Sequence, residues 1–173
     1  MRSLCELLKR QAQRFHGFGE LTILKILEAH KDSEKEVQRA AEICSEIAAT
    51  VLPVELCVRT LCPIIKSGDY PTNQAAIKML TKLTEQHQKN VILQLLPDMM
   101  PALVQAYDNT ESSVRKAAVF CLVAIHSVVG DSMKQYLSSL NGSKMKLLNL
   151  YIKRHQGSSS STPGSPASSV TYQ

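Results

Sequence analysis

The residues of this chain with the widest chemical reach are five cysteines (Cys5, Cys44, Cys57, Cys62, Cys121) and five histidines (His16, His30, His87, His126, His155). A zinc site needs such ligands in close pairs, and neither a C-x-x-C nor a His, Cys and carboxylate group at ligand spacing occurs. The odd cysteine count and scattered spacing do not suit a disulfide framework either, so reduced thiols are expected. Cys44 and Cys121 sit on apolar helical stripes, where packing is the simpler role than nucleophilic attack. Gly17-Phe18-Gly19 opens like a dinucleotide fingerprint, but it has no third glycine and no strand before it. No phosphate-cradling loop, H-E-x-x-H or G-x-S-x-G is present. Asn141-Gly142-Ser143 matches a glycosylation sequon, yet with no secretory signal ahead of it the segment reads as a helix-entry turn. No residue set nominates a reaction, so neither an enzyme nor a cofactor or metal is expected.

Charge offers more. Lys and Arg number 20 against 15 Asp and Glu, a net +5. Arg2, Lys9, Arg10 and Arg14 gather at one end, and Lys144, Lys146, Lys153 and Arg154 crowd a short helix at the other. Such clusters suit nucleic acid or an acidic protein surface. An RNA reader built from helical repeats would carry stacking side chains at one position of every repeat. The five Tyr and three Phe are irregularly spaced, so a nucleic acid partner is not expected.

These residues need elements to position them. With 173 residues, 44% hydrophobic and 5% aromatic, the chain suits one domain of helices packed on helices. No apolar run approaches the ~18 residues that cross a bilayer, so no membrane span is expected. Apolar periodicity predicts helices over 3–15, 20–30, 33–50, 53–66, 72–87, 90–107, 110–129, 132–140 and 143–155. In the first two, Leu4, Leu7, Leu8 and Phe15, then Leu21, Leu24 and Leu27, form the aligned stripes. Gly17-Phe18-Gly19 separates them. Ser33 to Glu36 reads as a capping box, Pro53 as a first-turn proline and Gly130 as a helix stop. Pro63, Pro97 and Pro101 fall inside predicted helices, where they should kink rather than break.

An internal repeat sets the architecture. Val37-Gln38-Arg39-Ala40-Ala41 matches Val114-Arg115-Lys116-Ala117-Ala118 at an offset of 77, with Thr72-Asn73-Gln74-Ala75-Ala76 between them at 35 and 42. A period near ~40 with one helix pair per period marks HEAT or armadillo repeats. The paired alanines let each second helix approach its partner, and Asp32, Asp69 and Asp108 are placed to bind backbone N–H groups at the turns. Three repeats follow, over about 20–50, 53–87 and 90–129. The opening helix reads as the second helix of an earlier repeat, so the domain over 1–155 is expected to be an N-terminally truncated fragment. Residues 131–155 are expected to cap an all-α solenoid. From Gln156 the composition turns to Gly, Ser, Pro and Thr, so 156–173 is expected to be a disordered tail.

Several blocks resemble a known family. Asp108-Asn109-Thr110-Glu111-Ser112-Ser113-Val114-Arg115-Lys116-Ala117 and Gly142-Ser143-Lys144-Met145-Lys146-Leu147-Leu148-Asn149-Leu150-Tyr151-Ile152-Lys153-Arg154 resemble the C-terminal end of the CLASP family, the cytoplasmic linker-associated proteins. Glu55-Leu56-Cys57-Val58-Arg59, Leu61-Cys62-Pro63-Ile64-Ile65 and the Ser-rich finish are similar to it too, so the likeness covers residues 1–156. The resemblance implies a TOG-like HEAT array in a microtubule regulator of the cytoplasm and cytoskeleton that promotes rescue and suppresses catastrophe. It implies a recruitment domain that docks CLIP-family proteins, a kinetochore motor and cortical anchors, at plus ends, spindle, kinetochore, centrosome and cell edge. Direct tubulin binding is the alternative. TOG modules grip tubulin with intra-pair turns that usually carry a Trp, and this chain has none. The turns here are 31–35, 67–73 and 108–113. The partner-binding candidates are Lys31, Lys35, Asn73, Arg115 and Lys116 at those turns, and Lys144, Lys146, Lys153 and Arg154 on the terminal helix. Thr162-Pro163 and Ser165-Pro166 are minimal proline-directed phosphorylation sites, at Thr162 and Ser165.

Overall fold

Eight of the nine segments read as helices from the sequence fold as α-helices, in a computed structural model that describes residues 2–159. The α-helices are α1 (Arg2–Gln11), α2 (Gly19–Glu28), α3 (Lys35–Val51), α4 (Val54–Ser67), α5 (Thr72–Gln86), α6 (Lys89–Ala106), α7 (Ser112–Val129) and α8 (Gly142–Ser159). Three 3₁₀ segments, Ala12–Phe18, Ala29–Lys31 and Gly130–Tyr136, join them, and no strand occurs among the described residues. The eighth predicted helix, 132–140, is therefore a 3₁₀ turn beginning at Gly130. Helix α8 runs through Gln156 to Ser159, past the point where the tail was expected to begin, and 160–173 lie outside the described residues.

The helices form two layers. In one, α1, α3, α5, α7 and α8 stack in sequence; in the other, α2, α4, α6 and the Gly130–Tyr136 segment do the same. This is an all-α HEAT-like solenoid, with α2–α3, α4–α5 and α6–α7 as its pairs. The segment expected as a cap continues both layers, with α8 on α7 and Gly130–Tyr136 on α6 and α7. Ala41, Ala48, Ala49, Ala76 and Ala118 are completely buried, the small contacts that let second helices stack closely.

Several local expectations change. On α2 the buried face is Ile23, Ile26 and Leu27, while Leu21 and Leu24 point outward. On α1, Cys5 and Leu8 are buried and Leu7 is not. Both helices are apolar on more than one stripe, and the stacking selects one. Gly17-Phe18-Gly19 is not a break: the 3₁₀ run leads straight into α2. Gly19 lies close to α4: a Cβ there would meet the end of the Leu56 side chain, which would have to turn aside. The capping box does not form. Helix α3 starts at Lys35, Ser33 caps nothing, and Asp32 Oδ1 accepts the Glu34 N–H at 2.9 Å instead. Pro53 is the N-cap of α4 rather than its first residue. Gly130 does end α7, at φ 64°.

Helix α6 passes unbroken through Pro97 and Pro101, as α4 does through Pro63. All three prolines lie on exposed faces, so water can satisfy the carbonyls each ring leaves without a donor. The stretch Ser112–Tyr136 is apolar enough to cross a membrane by length and composition alone, which does not establish a span. Within its most apolar 18-residue window 56% is buried in the solenoid, where α7 packs against α5, α6 and α8. The cysteines also differ from expectation: Cys5 and Cys44 are disulfide-bonded, their Cα atoms 5.2 Å apart. They are 39 residues apart, one repeat period, which sets them at the same level of adjacent stacked helices.

Truncation of the wholly buried Leu80 to Ala should cost about 2–5 kcal/mol in urea unfolding, whereas Leu24→Ala should stay within about 0.5 kcal/mol. Equal losses would contradict the face assigned to α2.

Candidate protein-docking surface

The intra-pair turns form one edge of the solenoid, and each is closed by its own side chains. In the first turn, Gln38 Nε2 donates to Asp32 O at 2.6 Å. In the third, Arg115 Nη1 donates to Asn109 O at 2.8 Å and to Thr110 O at 2.7 Å. Asn109 Oδ1 accepts the Glu111 N–H, as Asp32 does that of Glu34. The third-turn counterpart of Asp32 is thus Asn109, not Asp108. In the second turn Asp69 contributes its backbone oxygen, which accepts the Asn73 N–H, and Asn73 Oδ1 accepts the Gln74 N–H at 2.8 Å.

Gln38, Asn73 and Arg115 occupy the same slot of successive repeats, and in all three the side chain is committed to its own turn. Asn73 is only 3% exposed. Of the turn candidates, Lys31, Lys35 and Lys116 face solvent.

Helix α8 sorts its basic residues in a similar way. Lys144 is ion-paired with Asp108, its Nζ lies 5.4 Å from the centre of the Tyr107 ring, and its backbone oxygen accepts the Tyr107 hydroxyl at 3.2 Å. These contacts fasten the start of α8 to the third turn. Leu148 and Ile152 point into the core. Lys146, Leu150 and Lys153 fall on one exposed stripe at i, i+4 and i+7, and Arg154 is exposed beside them. Thr162 and Ser165 lie outside the described residues.

The face made by the second helices carries shallow cavities. Between α3 and α5, about 410 Å³ is lined by Glu42, Glu46, Lys78, Lys82 and Glu85, charges of both signs. Beside α8, about 240 Å³ is lined by Tyr107, Val119, Phe120, Leu147 and Tyr151, with Arg115 and Lys116. Phe120, Leu147 and Tyr151 were not singled out in the sequence. The available signal was Phe120 four residues after Lys116, a bulky ring amid an Ala- and Val-rich helix.

Among the described residues no group of His, Cys, Asp and Glu could hold a metal ion. Burial pushes the thiols of Cys57 and Cys121 up to about 12 and that of Cys62 up to about 11, with Glu55 and Asp98 adding to the rise at Cys57 and Cys62. At neutral pH these are inert thiols, not thiolates.

A family profile described as the EF3 N-terminal HEAT repeat matches residues 18–122. The chain belongs to that HEAT-repeat family. Its likeness to the CLASP family is found over nearly its whole length. The chain is 57% identical over 165 residues to CLIP-associating protein 1-B of Xenopus laevis, covering 95% of this chain and 11% of that protein. It is 39% identical over 157 residues to CLIP-associating protein of Drosophila melanogaster, covering 88% and 10%. It is 30% identical over 151 residues to CLIP-associated protein of Arabidopsis thaliana, covering 87% and 10%. The chain therefore spans about a tenth of the length of these relatives.

Two outcomes check this assignment of roles. Asn73→Ala should destabilise the fold by about 1–3 kcal/mol, because it strips a buried turn of its acceptor, while Lys31→Ala should have no measurable effect. A disulfide-type thiol reagent at about pH 8 should leave Cys57, Cys62 and Cys121 almost unmodified in the native protein and react with all of them on unfolding; rapid native labelling would contradict their burial.

Proposed function

We propose that this HEAT solenoid is a non-catalytic docking segment of a microtubule regulator, recruiting it through protein–protein contacts. The observation that carries the reading is the 57% identity, over 95% of the chain, to a protein whose name declares association with CLIP. In this proposal the segment is the C-terminal, CLIP-interacting TOG-like domain, with residues 1–155 as its body and 156–173 as a tail. CLIP-type proteins are the first partners, with a kinetochore motor and cortical anchors as further ones. Its places of action are the microtubule plus end, spindle, kinetochore, centrosome and cell edge, and the output is control of microtubule dynamics and spindle function.

The surface chemistry supports docking over catalysis. Cations exposed at the turn edge (Lys31, Lys35, Lys116) and on α8 (Lys146, Lys153, Arg154) lie on a rigid, curved scaffold. Such a scaffold can present them to an acidic helix or coiled coil without reorganising. On α8 the exposed Leu150 lies between Lys146 and Lys153, an apolar contact flanked by charge that a partner helix could cover.

The test is co-elution by size-exclusion chromatography at near-physiological salt, with a CLIP coiled-coil segment and free tubulin offered separately. The CLIP segment should co-elute and tubulin should not. The double variant Lys146→Glu, Lys153→Glu should weaken CLIP binding by roughly tenfold and flatten its salt dependence. Unchanged affinity would remove α8 from the interface. Co-elution with tubulin alone would replace the adaptor with a tubulin-binding TOG module.

A further inference from the structure

We propose that the groove between α7 and α8 is a peptide-docking site, and that its occupant is a short acidic segment of a partner protein bearing a large apolar anchor. The proposal rests on the docking reading above and deepens it by naming the surface and the chemistry of the partner.

The groove is lined by apolar and aromatic side chains with Arg115 and Lys116 beside them. Phe120 and Leu147 are 45% and 43% exposed, large apolar side chains left to solvent by the fold. The Phe120 ring meets Tyr151 edge to face, with centroids 5.8 Å apart and planes at 85°, so the aromatic wall is held in one geometry. Lys116 Nζ lies 5.7 Å from the Phe120 ring centre, and Arg115 is fixed by its two turn carbonyls. On the other side of Phe120 the surface continues into a second hollow of about 430 Å³ that includes Lys78 and Lys116. No carboxylate lines either hollow.

The repeat supplies an internal control. The residue 77 positions before Phe120 is Ile43, also exposed and also four residues after a cation, Arg39. The hollow beside Ile43 is lined by Glu6 and Glu36 together with Arg2, Lys9 and Arg39, and Glu6 pairs with Lys9, so carboxylates already offset most of its positive charge. No carboxylate is part of the lining of the Phe120 hollows, although Lys78 pairs with Glu42 at 3.5 Å, so Lys116 is the cation they offer. That selects an acidic occupant. An anchor entering the hollow beside α8 would bury Phe120 and Leu147, and flanking Asp or Glu would reach Lys116. Residues 160–173 contain no Asp or Glu, and a second copy would bring a further net charge of +5, so charge favours neither as occupant.

Two short synthetic peptides test this, each with a central Leu-Phe, flanked by Glu in one and by Lys in the other. Affinities are read by fluorescence anisotropy, and the site by amide shift changes in the ¹⁵N-labelled full chain. The Glu peptide should bind and move the resonances of Val119, Phe120, Leu147 and Tyr151, while the Lys peptide should not bind. Phe120→Glu and Leu147→Glu should each weaken binding roughly tenfold or more, and thermal melting should confirm that both variants remain folded. Equal binding of the Lys peptide, shifts centred elsewhere, or no effect of Phe120→Glu would overturn the proposal. So would displacement of the Glu peptide by a synthetic 160–173 peptide, which would make the tail the occupant. Self-association of the wild type in sedimentation, lost in Phe120→Glu, would assign the groove to a second copy and overturn it too. The two readings separate cleanly. Glu-peptide binding without CLIP co-elution keeps the groove and sinks CLIP recruitment, and CLIP co-elution without peptide binding does the reverse.

Discussion

Close stacking of the second helices is the constraint on which the rest of this structure depends. Ala41, Ala48, Ala76 and Ala118 are wholly buried where α3, α5 and α7 meet, and their size sets how near the helix axes can come. A larger residue in those slots would push the layers apart and open the core that Ile77, Leu80, Leu122 and Ile125 fill. In a solenoid each repeat buries its apolar face only against its neighbours, so the spacing of one pair propagates to the next. The period near forty then dictates which residues share a level, and it brings Cys5 to Cys44 across 39 residues.

The turns show how one slot can keep its task while its chemistry changes. Gln38 and Arg115, an amide and a guanidinium, each reach back to a carbonyl of their own turn, while Asn73, a shorter amide, accepts the Gln74 N–H at the start of α5. A cation at that slot is therefore spent on structure, and the cation one residue later, Lys116, is the one offered to solvent. Lys144 repeats the lesson at the end of the array, where Asp108 and Tyr107 hold it. A count of basic residues thus overstates what a partner can reach. Accessible ones lie at the turn edge, on the outer stripe of α8 and around Phe120, and also at Arg2, Arg10 and Arg14 near the start of the chain.

The thiols and the prolines show the same division between interior and exterior. Cys57, Cys62 and Cys121 are packing residues whose ionisation is suppressed by burial. Pro97 and Pro101 are tolerated in one helix because they are four residues apart on an exposed face, where the freed carbonyls are within reach of water. On a buried face either would have left an acceptor without a partner.

Sequence by itself determined the helices, their pairing and the repeat, because 3.6-residue periodicity, paired alanines and short loops are local signals that recur at a fixed interval. It also determined the kinship, which rests on blocks of residues rather than on shape. Which stripe of a doubly apolar helix turns inward was not legible: Leu21 and Leu24 satisfy the same periodicity as Ile23, Ile26 and Leu27, and only contact with α3 and α4 decides between them. Nor could local sequence show that Ser33 caps nothing while Asp32 Oδ1 accepts the Glu34 N–H, or that Gly19 lies against the Leu56 side chain of α4. The candidate surface was legible as charge and not as a site. Separating a turn-closing Arg115 from an offered Lys116, and seating Phe120 against Tyr151 from another helix, requires distances between residues far apart in the chain, and those exist only once the layers have stacked.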